Sequence, residues 1–137
     1  MAVGGLLCFC ILAQAQSDSG LRVLIINSYD ESTEPYLYPK NVFMSELQKY
    51  YTSPVVFRQF DLDQPTGTEE GYAELKMRLL EFEYAIKPPD LVVAMGPLSS
   101  AFWLDLRGPF FAKAPFIAVA SDVTLADMNF QPGDAVL

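Results

Sequence analysis

From Gly20 onward, short apolar runs alternate with segments in which apolar residues recur every three or four positions. The run LRVLIINS, residues 21–28, is continuous and rich in branched side chains, as a strand covered on both faces requires. A polar, proline-bearing stretch over residues 29–39 follows it, long for a strand-to-helix connection. Residues 40–51 set Phe43, Leu47 and Tyr50 at helical spacing. PVVFRQFDLD, residues 54–63, predicts a second strand, with QPTGT as the turn behind it. The clearest helix covers residues 69–86, where Tyr72, Leu75, Leu79, Phe82 and Ile86 form one apolar stripe opposite charged positions. Thr66 with Glu69 resembles a capping box, and Pro88-Pro89 stops the helix. DLVVAMG, residues 90–96, is a third strand. Residues 98–106 are a third helix, ended by Gly108-Pro109. APFIAVAS, residues 114–121, is a fourth strand. Residues 122–137 read mostly as loop, with Ala135, Val136 and Leu137 opening another element.

The order β-α-β-α-β-α-β defines an α/β domain. It implies a parallel sheet with helices on both faces and right-handed crossovers. The expected strand order is 2-1-3-4. No internal repeat or low-complexity segment interrupts it. The pattern stops where a fifth strand or a second lobe would begin, so the chain reads as a fragment of something larger.

With 137 residues, 51% of them hydrophobic, the chain suits one domain with a real core. A formal net charge of −8 argues against nucleic acid or an anionic membrane as partner, since both need a basic footprint. Residues 1–15 differ from the rest. They are uncharged, hold an apolar run over 6–12 and end in Ala13-Gln14-Ala15, the outline of a secretory signal peptide cleaved after Ala15. The run is shorter than the roughly 20 residues a membrane span needs. It lacks a basic start, which places the expected initiation upstream of Met1. Both cysteines, Cys8 and Cys10, fall inside it, and Leu7 and Phe9 before them do not suit a lipid anchor. The exported chain would then have neither cysteine nor histidine.

In an open parallel sheet, ligands bind beyond the carboxyl ends of the strands, near the switch point between the first and third. That geometry selects Asn27, Ser28, Tyr29 and Asp30, then Gly96, Pro97, Leu98, Ser99 and Ser100, then Ser121 and Asp122. Gly96 permits a sharp turn and close approach. Pro97 suits the first helical position. The amides of Ser99 and Ser100 would face outward at the positive end of the helix, where an anion could dock. Ordinary capping residues in a strand-to-helix turn account for the same sequence equally well. Tyr29, Tyr36 and Tyr38 flank the loop after the first strand and could close over a ligand, though at least one is expected only to cover its own domain. Asp61 and Asp63 could hold a ribose or a cation; an exposed strand end is the favoured account.

Enzyme readings fail on specific groups. A hydrolase elbow needs Gly-x-Ser-x-Gly and a histidine base, and the turn here is Gly96-Pro97-Leu98-Ser99-Ser100. Neither a Walker lysine motif nor Gly-x-Gly-x-x-Gly occurs. Histidine–cysteine zinc sites have no ligands in the exported chain, and a phosphoryl-accepting receiver would need an aspartate where Met95-Gly96 stand. No catalytic residue, metal or cofactor is expected.

Three stretches carry a resemblance: RVLIINSYD…YPKNVFMSELQKYY, KPPDLVVAMGPLSSAFW and WLDLRGPFFAKAPFIAVASD. Together they resemble the first lobe of a substrate-binding-protein-like domain, most of all the extracytoplasmic sensor modules of bacterial sensor histidine kinases. The same fold is similar to the solute-binding components of ABC transporters. The likeness spans residues 21–137, and its most specific parts are Pro88-Pro89-Asp90-Leu91-Val92-Val93, the Gly96-Pro97-x-Ser99 turn, and the link from Arg107 to Ala114-Pro115. It implies a Rossmann-like or flavodoxin-like three-layer lobe over residues 21–122, with residues 123–137 beginning a crossover to a second lobe. It also implies a small-molecule ligand in the cleft, held here by Ser28, Tyr29, Gly96, Pro97, Leu98, Ser99, Ser100, Ser121 and Asp122. On this reading the chain is the input domain of a two-component sensor kinase in the periplasm or on the extracytoplasmic face of the inner membrane. Its partners would be the second lobe and the membrane-anchored kinase modules of a longer parent. The alternative is the first lobe of a periplasmic transport receptor serving an ABC permease. A flavodoxin-like enzyme comes third. The kinase core and a phosphoacceptor histidine are absent from the sequence, so catalysis would belong to the parent.

Overall fold

In the computed structural model, residues 20–29, 36–62, 70–119 and 130–137 are described. The expected leader, Asp30, Asp63, the Thr66–Glu69 capping box, Ser121 and Asp122 lie outside them. The strands are β1 (Leu21–Asn27), β2 (Val55–Asp61), β3 (Leu91–Met95), β4 (Phe116–Val119) and β5 (Ala135–Val136). The helices are α1 (Leu37–Tyr50), α2 (Tyr72–Glu83) and α3 (Pro97–Leu106), with a 3-10 turn at Pro109–Phe111. All strand pairs are parallel, in the order β2-β1-β3-β4-β5. This is the three-layer α/β arrangement of the Rossmann and flavodoxin-like folds. The short tail element suspected at Ala135 is the fifth strand.

The strands are apolar because both faces are covered. Leu24, Ile26, Val92, Ala94, Phe116 and Ala118 form one core with residues of α2 and α3. Val23, Ile25, Val93, Met95 and Val119 form the other, against Phe43, Met44 and Leu47 of α1. Tyr50, expected on that inner stripe, is instead 77% exposed. α1 also starts three residues earlier than its spacing suggested, because Pro39 falls in the first turn, where no amide is needed.

The largest correction concerns α2. Its expected apolar stripe faces water: Leu75, Leu79, Phe82 and Ile86 are all exposed. Met77, Leu80 and Tyr84 are buried in their place. Helix residues two apart point to nearly opposite sides, so both rows satisfy helical spacing. Two bonds to the end of β2 set the rotation. Tyr72 Oη donates to the Leu62 carbonyl at 2.9 Å, and Lys76 Nζ donates to the Asp61 carbonyl at 3.1 Å. With residues 72 and 76 held there, 77, 80 and 84 turn to the sheet.

Candidate functional site

The carboxyl ends of β1 and β3 meet in a closed cluster of hydroxyl and backbone groups. Ser28 is fully buried. Its amide and its Oγ both donate to the Met95 carbonyl, at 3.1 and 2.8 Å, and its Oγ accepts the Ser99 amide at 3.0 Å. Ser99 Oγ and Ser100 Oγ donate to the Gly96 carbonyl at 3.1 and 2.8 Å, and the Ser100 amide donates there too at 3.2 Å. Ser99 and Ser100 are both 0% exposed. The two amides expected to face outward are therefore both taken within the protein, Ser99 by the Ser28 hydroxyl and Ser100 by a helix bond to Gly96. The Gly96 amide donates to the Val119 carbonyl at 2.9 Å, Pro97 has no N–H, and the Leu98 amide takes no part in these bonds. For Ser99 the physical reason is that the buried Ser28 hydroxyl, just past β1, is a nearer acceptor than anything in solvent.

Gly96 is indispensable to this packing. Its φ is +95°, and a Cβ there would lie 2.7 Å from Ser28 Oγ and 2.9 Å from the Tyr36 ring. Tyr36 thus closes the turn from above, the domain-covering role expected of at least one loop tyrosine. Tyr29 stacks on it, ring centroids 6.0 Å apart and planes 20° from parallel, and stays 42% exposed. Tyr38 is turned away to the outer side of α1, 74% exposed and lining a groove of about 510 Å³ with Val42, Leu47, Val119 and Leu137.

A second polar network, missed in the sequence, lies at the end of β2. Lys40 is only 3% exposed, and its Nζ donates to Gln59 Oε1 at 2.9 Å. Asn27 Nδ2 donates to the same oxygen at 3.3 Å and to Asp61 Oδ1 at 2.7 Å. Asp61 is therefore a half-buried acceptor tied to β1, not an exposed strand end. Among the described residues, no group of three His, Cys, Asp or Glu stands close enough to hold a metal. Asn27, as the last residue of a buried strand, was the legible signal. Lys40 gave none, because a lysine in a first helical turn ordinarily points to water.

Between α2 and α3, Leu98 lines a groove of about 290 Å³ with Leu62, Tyr72, Lys76, Phe102 and Asp105. The structure thus brings Ser28, Tyr29, Gly96, Pro97, Leu98, Ser99 and Ser100 together at one edge of the sheet. Tyr29, Pro97 and Leu98 reach solvent there, whereas the serines are structural supports beneath.

A scan against protein-family models finds no match to this chain, and a search of curated proteins finds none either. What is shown is the class: an α/β domain with a five-stranded parallel sheet.

Proposed function

We propose that this chain is an extracytoplasmic small-molecule-binding lobe, the input domain of a sensor histidine kinase. The observation that carries the reading is the exposed Tyr29 ring, stacked on Tyr36 directly above the Gly96 turn at the switch point of the sheet. That places a flat apolar face where open α/β sheets take ligands. The reading is one of binding. The hydroxyls of Ser28, Ser99 and Ser100 are buried and committed to carbonyls or to each other, so none is offered as a nucleophile. With the Ser99 and Ser100 amides taken within the protein, recognition leans on stacking and on the Leu98 groove more than on an anion at the helix end.

Apolar surface at the tail fits a lobe made to be covered. Val136 is 43% and Leu137 71% exposed, beside the groove against α1. Phe130, by contrast, packs on the core beside Phe116. Among the described residues no helix is long and apolar enough to cross a membrane. A periplasmic transport receptor lobe fits the same geometry. The two readings separate by the genomic reading frame: a sensor requires a membrane helix and a kinase core in frame, and a receptor requires neither.

The site is tested by differential scanning of the protein against amino acids, small organic acids and nucleosides. At least one class should raise the melting temperature, and Tyr29→Ala should weaken that ligand about tenfold or more, the cost of a lost stacking contact. A ligand whose affinity is untouched by Tyr29→Ala would place binding elsewhere.

A further inference from the structure

Like charges on one face of a sheet repel unless something neutralises them. Such a pair stands on β1 and β2. Arg22 is paired with Val56 and Leu24 with Arg58 in the parallel register, so both arginines lie on the face that α2 covers. They line a pocket of about 330 Å³ with Val56, Glu83 and Tyr84. The ion pairs among the described residues are Lys49–Glu46 and Arg107–Asp134. Neither guanidinium is therefore neutralised, although the chain carries a net charge of −8. Arg22 is held in place: it donates to the Lys87 carbonyl at 3.0 Å, and its guanidinium carbon lies 5.6 Å from the Tyr84 ring centroid. Among the described residues nothing accepts from the exposed Arg58.

Tyr84 supplies an independent sign of a ligand. It is only 4% exposed, yet its hydroxyl has no hydrogen-bond partner among the described residues. Trp103 Nε1 is the one polar side-chain atom among them that is both sealed from solvent and unpartnered. The Tyr84 hydroxyl is thus not sealed, and it opens into the pocket that the residue lines. Burial raises its pKa, with Glu83 adding and Arg22 and Arg58 opposing. The phenol is therefore a proton donor at neutral pH, close enough to both guanidiniums to feel their charge.

We propose that this pocket binds a small organic carboxylate, with Arg22 and Arg58 on its oxygens, the Tyr84 hydroxyl donating to it and Val56 against its carbon chain. Guanidinium forks suit a carboxylate or a phosphate. Glu83 and the carbonyl end of α2 decide between them. Both place negative charge on the helix side, which penalises a phosphate dianion more than a singly charged carboxylate. The pocket shares no residue with Tyr29 or the Leu98 groove, so the inference stands apart from the ligand reading.

Nuclear magnetic resonance tests it, with propionate and inorganic phosphate titrated separately into the isotope-labelled protein. Propionate should saturate a single site, bind more tightly than phosphate, and move the signals of Arg22, Arg58 and Tyr84. Arg58→Gln and Tyr84→Phe should each weaken propionate about tenfold or more, the loss of a hydrogen bond to a charged group. Glu83→Gln should tighten it. The spectrum of each variant without propionate reports that its fold is kept. A titration that does not saturate would overturn the proposal, as would shifts gathered at Tyr29 and Leu98 instead. So would an affinity unchanged in Arg58→Gln or in Tyr84→Phe, or tighter binding of phosphate than of propionate.

Discussion

Gly96 shows how one residue can hold a turn together. Its left-handed backbone and the two contacts within 3 Å of a missing Cβ leave no room for a side chain. Gly96→Ala should cost about 2–4 kcal/mol, combining backbone strain with overpacking, read as a lower urea midpoint with unchanged slope. The loss should fall if Ser28 is shortened to alanine in the same chain, since part of the clash is with its Oγ. Tyr84 makes a second residue-scale prediction. Burial raises its phenol above the ordinary value near 10, and Glu83 adds to the rise, while Arg22 and Arg58 oppose it. The folded state therefore holds the proton more tightly than the unfolded chain does. The stabilisation is complete below the unfolded pKa and lost as pH rises through the folded one. As pH rises above about 10, unfolding free energy should fall more steeply in the wild type than in Tyr84→Phe. Parallel curves would show that Tyr84 does not titrate in this way. Both residues were visible in the sequence, but only Gly96 was marked as special. A tyrosine at a helix end announces nothing about its burial.

At the scale of elements, boundaries were legible where a local signal ended them. Leu91–Met95 and Pro97–Leu106 fall within a residue of expectation, because Gly96 and Pro97 switch the backbone abruptly. The face of α2 was not legible, since two apolar rows competed and the choice depended on bonds from Tyr72 and Lys76 to β2. β5 was suspected from three residues, but its anchor was unforeseen. Arg107, at the end of α3, makes a two-pronged pair with Asp134 at 3.1 and 2.6 Å, with both side chains only 3% exposed. Asp134 also accepts the Gln131 amide at 2.7 Å, closing the turn before β5. Removing one partner of a buried pair leaves a charge without its counterion, which costs about 3–5 kcal/mol. Asp134→Asn should therefore release β5. The Leu137 amide, which donates to the Ala118 carbonyl at 2.8 Å, should then exchange at least about 100-fold faster. An unchanged exchange rate would mean that the Ile117 and Ala118 pairing holds β5 without the ion pair.

For the whole molecule, the parallel order and the division of helices between the faces follow from alternation and crossover handedness. One helix, α1, covers one face of the sheet, and α2 with α3 cover the other. This asymmetry leaves the apolar groove between α1 and the β4–β5 edge. It also leaves two exposed apolar surfaces of different character. The tail groove lies beside the edge strand, while the α2 row lies on the far face of the molecule. Cover over the α2 row and cover over the tail groove are thus separable, since no residue belongs to both.

The sequence by itself determined the α/β class, the order of the first four strands and the Gly96-Pro97 turn. Each of these rests on nearest neighbours along the chain or on a rule of chain handedness. The tertiary structure alone decided which side of α2 is buried, that Ser28 takes the Ser99 amide, that Lys40 is buried beside Gln59, and that Arg107 clamps Asp134. Those outcomes depend on groups many residues apart competing for the same donors, acceptors and apolar surface. Spacing within one segment carries no information about which competitor arrives.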